Sequence, residues 1–279
     1  MLTLNPNEIG TQKTHQYLLG AIGPRPIAFA STIDKDGIRN LSPFSFFNVF
    51  SANPPILIFS PARSGRTGET KNTFDNVKEV PEVVINIVNY NIVQQMSLSS
   101  SPYPKGVDEF VKAGLTPVSS ETIKPFRVKE SPVQFECKVN QIVELGQNGG
   151  AGNLIICEVL RIHIQDDILD ANGLIDQHKI DLVSRMGGNW YCRANSESMF
   201  EIEKPLTTIG IGVDQIPDYI KNNPILSGND LGLLASVEKL PSVEEVNNYP
   251  RSKKDSIVEA KELIEKGEIH NAWKVLLAR

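Results

Sequence analysis

The stretch VQFECKVNQIVELGQNGGAGNLIICEVLRIHIQ, residues 133–165, decides the fold of this chain. Its first half, Val133–Leu145, alternates apolar and polar residues with the period of two that a β-strand shows. Its second half, Asn153–Gln165, is an equally long apolar run, and the glycine-rich link between the halves is typical of a turn. The stretch therefore predicts an antiparallel hairpin of two long strands, which without an intervening helix favours a barrel.

Alternation in the first predicted strand separates an apolar face from a polar one. Cys137 belongs to the apolar face, and we expect it to be a small core residue. The apolar face holds Val133, Phe135, Cys137, Val139 and Ile142, and the polar face holds Gln134, Glu136, Lys138 and Asn140.

The chain from Pro26 to about Leu174 has the same strand-like sequence pattern around this hairpin. Its apolar runs are short, rich in Val, Ile and Phe, and separated by Gly, Pro, Asn and Ser, which is typical of strands. We predict a mainly β domain with brief helices. The further predicted strands are Pro26–Ile33, Ile56–Ser60 and Glu82–Val88, and the predicted helices lie in Thr70–Glu79, Asn91–Ser100 and Asp108–Gly114.

The sequence pattern changes after about Ala194, where helical periodicity replaces strand-like runs. Ile257, Ala260 and Ile264 recur at i, i+3 and i+7, and Gly267 is placed to end that helix. A second helix carrying Trp273 follows. We therefore predict a barrel domain over residues 1–195 and a helical C-terminal extension over residues 196–279.

Composition and charge exclude several classes of protein. Of the 279 residues, 40% are apolar and 22% charged, which excludes disordered and collagen-like chains. A formal net charge of -5 argues against nucleic acid as a partner. Three cysteines without a C-x-x-C pair argue against a disulfide framework or a structural zinc site. With no signal-peptide pattern and no apolar run near about 18 residues, we expect a cytoplasmic protein without a membrane partner.

The segment SPARSGRTGETKNTFDN, residues 60–76, follows a predicted strand and enters a predicted helix. It gathers the cations Arg63, Arg66 and Lys71 with three hydroxyls and two glycines. Cations, hydroxyls and a helix N-terminus suit a phosphate monoester, so the segment is a candidate phosphate-binding loop. The alternative interpretation is a solvated surface loop with a helix N-cap.

A second candidate region, residues 23–55, combines small polar groups with phenylalanines. A predicted strand ends in Ser31 and Thr32, and the hydroxyl-rich aromatic run SPFSFFN, residues 42–48, follows a turn. Flat apolar surfaces beside small polar groups suit a planar heteroaromatic ligand. The alternative is that these phenylalanines belong to the core.

Five motifs, in chain order, carry a family resemblance: RPIAxxST from Arg25, SPFSFFN from Ser42, NPP from Asn53, TKNT from Thr70 and RMGGNWY from Arg185. Together they resemble the flavin reductase-like family with the FMN-binding split barrel, over about residues 14–195. Longer members of that family also resemble the C-terminal part. The resemblance implies a Greek-key antiparallel split barrel and a homodimer with FMN near the subunit interface.

The resemblance also implies roles for individual residues. Ser31 and Thr32, with the start of the helix at Lys71, are assigned to the phosphate and ribityl end, and the SPFSFFN run to the ring. Arg25 or Arg185 is the implied cation near flavin N1 and O2, although Arg185 is alternatively placed to reach a partner subunit. The residues assigned to FMN are Arg25, Ser31, Thr32, Ser45, Phe46, Asn48, Ser60, Lys71, Asn72, Thr73, Arg185 and Trp190.

The function implied is electron transfer through FMN, with no catalytic side chain and no metal, because the flavin performs the chemistry. The leading hypothesis is an NAD(P)H-dependent oxidoreductase that passes hydride to flavin N5 and electrons to free flavin or another small acceptor. The alternatives are a flavoredoxin-type electron carrier and a barrel that has lost the cofactor. One departure bears on the nicotinamide: many shorter members read Gly-Asp-His where this chain has Gly152-Asn153-Leu154.

The role of the extension has two interpretations. Its apolar helix faces need a surface to bury them, and the barrel is the surface that the sequence offers, so we expect docking on the barrel. A docked extension either narrows access to the flavin or supports the barrel structurally.

Overall fold

One seven-stranded antiparallel sheet dominates the computed structural model, which describes residues 1–278. Its strand order is β2-β1-β5-β8-β9-β4-β3. Two short ladders, β6 with β7 and β10 with β11, accompany it. The strands are β1 (Ala28–Ile33), β2 (Arg39–Phe44), β3 (Phe47–Ala52), β4 (Pro55–Phe59), β5 (Glu82–Ile87), β6 (Pro117–Val118), β7 (Arg127–Val128), β8 (Val133–Glu144), β9 (Asn153–Ile164), β10 (Val183–Arg185) and β11 (Tyr191–Arg193).

Helices precede the sheet, connect some of its strands and make up most of the C-terminal part. Both N-terminal helices lack buried residues, and the sequence patterns did not predict them. The helices are α1 (Pro6–Ile9), α2 (Thr11–Ala21), α3 (Asn72–Glu79), α4 (Val93–Ser99), α5 (Glu109–Ala113), α6 (Asp218–Lys221), α7 (Gly228–Ala235), α8 (Val243–Asn247), α9 (Ser256–Glu265) and α10 (Ile269–Leu277).

The sheet is curled, because its two edge strands are consecutive in the chain. Strands β2 and β3 lie at opposite edges but are separated only by Ser45 and Phe46. Seven flat strands would hold their edges roughly 29 Å apart, whereas three peptide steps span at most about 11 Å. The edges therefore meet at Ser45–Phe46. Inside the curl, residues from six strands form one apolar cluster with Phe74 and Val77 of α3.

The predicted hairpin is confirmed as β8 and β9, paired from Val133–Ile164 to Glu144–Asn153. Cys137 is fully buried in the apolar cluster, as predicted. The predicted polar face of β8 is wrong at two positions, because Gln134 and Glu136 are buried. The backbone amides of residues 121 and 122 donate to the Glu136 carboxylate, so a neighbouring loop supplies the partners that water would otherwise supply.

The described chain divides into two compact units, residues 1–200 and residues 201 onward. In the second unit the predicted helices are confirmed as α9 and α10, and Gly267 follows α9 with a φ of 78°. Helices α6, α7, α9 and α10 pack on one another around the fully buried Trp273. The premise that only the barrel offers these faces a surface is therefore wrong, since the unit has an apolar core of its own.

Among residues 1–278 the structure contains no helix with the length and apolar character needed to span a membrane.

Candidate functional site

The connection between the two edge strands, Ser45–Phe46, is the centre of the candidate site. Phe46 is 39% exposed, although it is a large apolar side chain. Its backbone carbonyl accepts a hydrogen bond from the N–H of Ser60 at 2.8 Å. Ser60 is the first residue of the predicted phosphate-binding loop. The fold therefore joins the aromatic segment and the loop, which are separate in sequence, at one point. We call Ser45, Phe46 and Ser60 the ring corner.

Arg25 holds this corner to two other segments. Its Nη1 donates to the carbonyl oxygens of Leu19, at 2.8 Å, and Ile22, at the end of α2. Its Nη2 donates to the carbonyl of Met186 at 2.8 Å, and its Nε lies 3.5 Å from Ser45 Oγ. Burial, followed by repulsion from Arg185, lowers the pKa of Arg25. Four of the five guanidinium N–H groups are thus engaged within the protein.

Helix α2 and the turn at residues 186–190 are positioned beside the corner. The His15 ring lies edge-on to Phe46, with ring centroids 6.4 Å apart. The backbones of Gly20 and Gly187 approach so closely that a Cβ on Gly187 would lie 3.1 Å from the Gly20 Cα. Trp190 closes this turn through its N–H bond to the Gly187 carbonyl, and its own side chain is 78% exposed. Sequence analysis gave His15 no functional role, since only the packing of α2 brings it to Phe46.

Asn48 and Arg185 lie near the corner with other partners. The Asn48 Oδ1 accepts from the N–H of Val49 at 2.8 Å, on the exposed edge strand β3. The Arg185 backbone pairs with that of Arg25, while its guanidinium lies 4.7 Å from the centre of the Tyr191 ring. Both residues are therefore within the same part of the fold as Ser45, although neither side chain makes a hydrogen bond to it within residues 1–278.

A second group of assigned residues forms a buried polar network. The Thr32 Oγ1 accepts from the side-chain amides of Asn40, at 3.3 Å, and Asn76, at 3.1 Å. The Asn40 amide also donates to Thr73 Oγ1 at 2.9 Å. Both hydroxyls are almost completely buried. Thr32 and Thr73 are thus brought together, but as ties between the sheet and α3. Asn72 lines a small polar cavity of about 10 Å³ beside them.

Ser31 faces the opposite side of β1 from Thr32, because neighbouring strand residues alternate. It is fully buried, and its Oγ has no hydrogen-bond partner among the described residues. The two hydroxyls assigned to one end of the cofactor therefore do not converge. An unpaired buried hydroxyl is costly, which sets Ser31 apart from the satisfied polar groups around it.

The predicted phosphate-binding loop contains one engaged and two exposed cations. Arg63 Nη2 lies 2.9 Å from a Glu144 carboxylate oxygen, and hydrogen bonding from Arg63 lowers the pKa of Glu144. Arg66 and Lys71 are exposed and make no ion pair within residues 1–278. Lys71 is the N-cap residue of α3, and no side chain in the described part of the chain caps that helix. The uncapped amides and two free cations suit an anion.

Asn153 holds the start of this loop in place. The sequence analysis noted Asn153 only because many shorter family members have Asp at this position, and it did not predict this role. Its N–H donates to Ser60 Oγ at 3.0 Å, and its Nδ2 donates to the Pro61 carbonyl at 2.8 Å. The side chain is fully buried, and its Oδ1 has no hydrogen-bond partner within residues 1–278. Gly152 is needed next to it, because a Cβ there would lie 2.9 Å from Ser60 Oγ.

A curled antiparallel sheet whose edge corner gathers an aromatic ring, small polar groups and a cationic loop defines a class of β protein suited to a ring-and-phosphate cofactor. The chain belongs to the flavin reductase-like domain family, whose sequence model matches residues 21–181.

Individual relatives agree with this assignment. An uncharacterized protein of Aquifex aeolicus is 39% identical over 189 residues, which are 67% of this chain and 93% of the relative. Nitrilotriacetate monooxygenase component B from Bacillus cereus has a similar structure, with a TM-score of 0.68 and 33% identity over 72% of this chain and 98% of that one. Flavoredoxin of Desulfovibrio vulgaris shares the fold at 21% identity, with a TM-score of 0.57 over 67% and 93% of the two chains.

The residues present fit a flavin with a terminal phosphate. The exposed ring of Phe46, the hydroxyl of Ser45 and the amide of Asn48 supply a flat surface with polar neighbours. The α3 N-terminus with Lys71 supplies uncompensated positive charge. The donor set therefore matches both ends of such a cofactor.

Proposed function

We propose that this protein is an FMN-binding, NAD(P)H-dependent flavin reductase, with its curled sheet closed as a split barrel. The observation that carries the proposal is the ring corner, where the hydrogen bond between Ser60 and Phe46 joins an exposed aromatic surface to a cationic loop. FMN, when bound, supplies a ring that accepts hydride at N5 and passes electrons to free flavin or another small acceptor.

The protein's own residues bind the flavin and orient it. Phe46 excludes water from one side of the ring site, while Ser45 and Asn48 supply hydrogen-bonding groups at its edge. Lys71, Arg66 and the α3 amides bind the phosphate, which fixes how far the ring reaches. Arg25 acts through Ser45, since its guanidinium holds α2 and the 186–190 turn in place around the corner.

An electron carrier of the flavoredoxin type is a second candidate, favoured by the residues at the start of β9. Gly152, Asn153 and Leu154 include no ionisable side chain, and Asn153 is buried and committed to Pro61. The nicotinamide contact that shorter relatives are expected to make there has no counterpart at this position. Under this alternative the protein holds FMN and exchanges electrons with other proteins.

Anaerobic stopped-flow mixing separates the two candidates. FMN-loaded protein is mixed with NADH or NADPH, and the visible absorbance of oxidised flavin is followed. Rapid bleaching supports the reductase. Photoreduction of the bound flavin without any reaction with either nicotinamide supports the carrier, and a purified protein that binds no FMN contradicts both.

We further propose a cytoplasmic homodimer. Val49 and Phe50 on edge strand β3 and Ile162 on β9 are each more than half exposed, which leaves apolar surface for a second copy of the chain to cover. Cys137 and Cys157 are both buried free thiols, which fits a reducing compartment. Light scattering at micromolar concentration tests the assembly: a monomer mass with FMN bound contradicts a shared site.

A further inference from the structure

A cleft of about 210 Å³ lies between α4 and the β10–β11 hairpin, within the first unit of the chain. Two aromatic rings, Tyr90 and Tyr191, line it together with the apolar side chains of Val93 and Val183. Four of its lining residues follow residue 181, where the match to the family model ends. The features that define the flavin site therefore do not account for this cleft.

Both tyrosine rings are held in place by arginines. The Arg193 guanidinium carbon lies 3.7 Å from the centre of the Tyr90 ring, and its Nε and Nη2 bind the two Asp181 oxygens at 2.7 and 2.8 Å. Asp181 adopts a φ of 53°, the left-handed region that residues other than glycine seldom occupy. Such strain persists where the surroundings fix a geometry. Tyr191 is stacked in the same way by Arg185.

The chemistry of the cleft favours a neutral flat ring over a phosphate. Asp181 neutralises the charge of Arg193, which removes the cation that an anion would need. Gln94 and Ser97 also line the cleft, and neither side chain makes a hydrogen bond within the described part of the chain. A carboxamide and a hydroxyl beside aromatic walls match the polar edge and the faces of a nucleobase.

The size of the cleft limits it to one part of a ligand. Pockets for complete small-molecule ligands usually measure about 300–1,000 Å³, so 210 Å³ suits a single ring system. The cleft also lies close to the ring corner, because Tyr191 pairs with Arg185, Arg185 pairs with Arg25, and Arg25 reaches Ser45. A ligand with two rings on a flexible linker can therefore occupy both places.

We propose that this cleft binds the adenine ring of NAD(P)H, with the nicotinamide directed to the ring corner. The inference rests on the proposed function, which names the dinucleotide as hydride donor. Adenine is a neutral stacking ring with hydrogen-bond donors and acceptors along its edge, as the cleft requires. Tyr90, Tyr191 and Gln94 are thus specificity-determining residues for the adenylate half of the donor.

The test uses the FMN-loaded full chain with Ser97→Trp, which fills the cleft, and Gln94→Ala, which removes its amide. Leu98→Trp is the matched control, because Leu98 is on the same helix, is 46% exposed and does not line the cleft. Binding of 5′-AMP is measured by calorimetry. Steady-state kinetics compare NADH with reduced nicotinamide mononucleotide, a donor that lacks adenine.

We expect Ser97→Trp to weaken 5′-AMP binding and raise the KM for NADH, each by about tenfold or more, since stacking of one base contributes that much. The kcat with NADH and the kcat/KM with the mononucleotide should stay within about twofold of the unmodified protein, as should every value for Leu98→Trp. Gln94→Ala should shift the same two quantities less.

Three results overturn the inference: no 5′-AMP binding by the unmodified protein, unchanged 5′-AMP binding in Ser97→Trp, or equal losses with NADH and the mononucleotide. Failure of the proposed function gives a different result, because the unmodified protein would then oxidise neither donor. The binding of 5′-AMP and its loss in Ser97→Trp would still show whether the cleft binds adenine. If Ser97→Trp has an altered thermal midpoint, Gln94→Ala takes its place in the test. An unchanged 5′-AMP affinity and an unchanged KM for NADH in Gln94→Ala would then contradict adenine binding in the cleft.

Discussion

The N–H of Ser60 donates to the carbonyl oxygen of Phe46 at 2.8 Å, across the end of the β3–β4 ladder. Through this bond the exposed aromatic surface and the cationic loop become parts of one site. A cofactor with a planar ring and a terminal phosphate requires both parts at a fixed separation, so this bond sets the geometry on which the proposed function depends.

Lys71→Ala is expected to weaken FMN binding about tenfold and riboflavin binding little. Lys71 is exposed at the uncapped start of α3, and a charge-assisted hydrogen bond to phosphate contributes about 1.5–3 kcal/mol. Fluorescence titration of both flavins measures the difference. Lys78→Ala, in the last turn of the same helix, is the control and should change neither affinity. Equal losses for FMN and riboflavin would remove Lys71 from the phosphate site.

Arg25→Met is expected to lower the free energy of unfolding by roughly 2–4 kcal/mol, because three backbone carbonyls lose a charged donor. Arg185→Met is the control, since its guanidinium stacks on Tyr191 at 4.7 Å and such a contact contributes about 1 kcal/mol. Urea denaturation gives both values.

Arg25→Lys distinguishes a clamp from a simple positive charge. Lysine keeps the charge but lacks the planar fork that reaches α2, Met186 and Ser45 together. We therefore expect Arg25→Lys to be nearly as unstable as Arg25→Met. Restoration of both stability and FMN affinity by lysine would show instead that Arg25 acts through its charge alone.

Glu136 should make stability depend on pH in the acid range. Burial acts to raise its pKa, but hydrogen bonds from Thr122 Oγ1, from the N–H groups of residues 121 and 122 and from His163 outweigh burial, and the pKa falls from 4.5 to about 2. Between these values the unfolded chain binds a proton that the folded protein does not. The contribution of Glu136 to the free energy of unfolding is therefore fully present above about pH 4.5. It is lost as the pH falls towards 2, by about 3 kcal/mol in all.

Urea denaturation at several pH values between about 5 and 3 measures this slope. Glu136→Gln removes the titrating group, so the variant should be less stable than the unmodified protein at pH 5 and should lose less stability on acidification. Parallel pH profiles for the two proteins would mean that other carboxylates cause the acid sensitivity.

Long elements with a clear period could be predicted from the sequence, and short elements without one could not. The hairpin was predicted within one residue at each strand end, because thirteen consecutive residues in each half carried the strand pattern and a glycine-rich link marked the turn. The edge strands β2 and β3 were missed, since the aromatic run around Ser45 reads as a ligand segment or as core. β2 pairs with β1 and β3 pairs with β4, the strand next to each in the chain, but neither sequence alternates cleanly between apolar and polar residues.

In the candidate site the division is between local and distant contacts. Residues gathered by one local segment, such as Lys71 and its helix start, lie where the pattern predicts an anion loop. Partners that come from far along the chain could not be predicted, even for residues assigned to FMN: Thr32 meets Asn76 across 44 positions, and Arg25 reaches Met186 across 161. The wrong polar assignment of Glu136 has the same origin, because its partners lie on a loop and on β9.

The second unit offers a direct test of what the C-terminal residues do for the flavin site. Its apolar core surrounds Trp273, which is fully buried and donates its Nε1–H to the Leu234 carbonyl at 2.8 Å. Trp273→Ala leaves a large cavity and an unpaired carbonyl, which together cost about 3–5 kcal/mol or more. We expect the variant to lose the helical order of this unit.

FMN affinity in Trp273→Ala should stay within about twofold, because every apolar side chain packed around Trp273 belongs to the second unit. Circular dichroism measures the lost helix, fluorescence titration the FMN affinity, and steady-state assays the preference among acceptors of different size. The Trp190→Phe variant is the control, since it removes the exposed tryptophan and leaves Trp273 to report burial of the second core. If Trp273→Ala binds FMN normally but changes its acceptor preference, the extension controls access to the flavin. Loss of FMN or of solubility would show that the extension supports the barrel, and unchanged kinetics with every acceptor would exclude control of access.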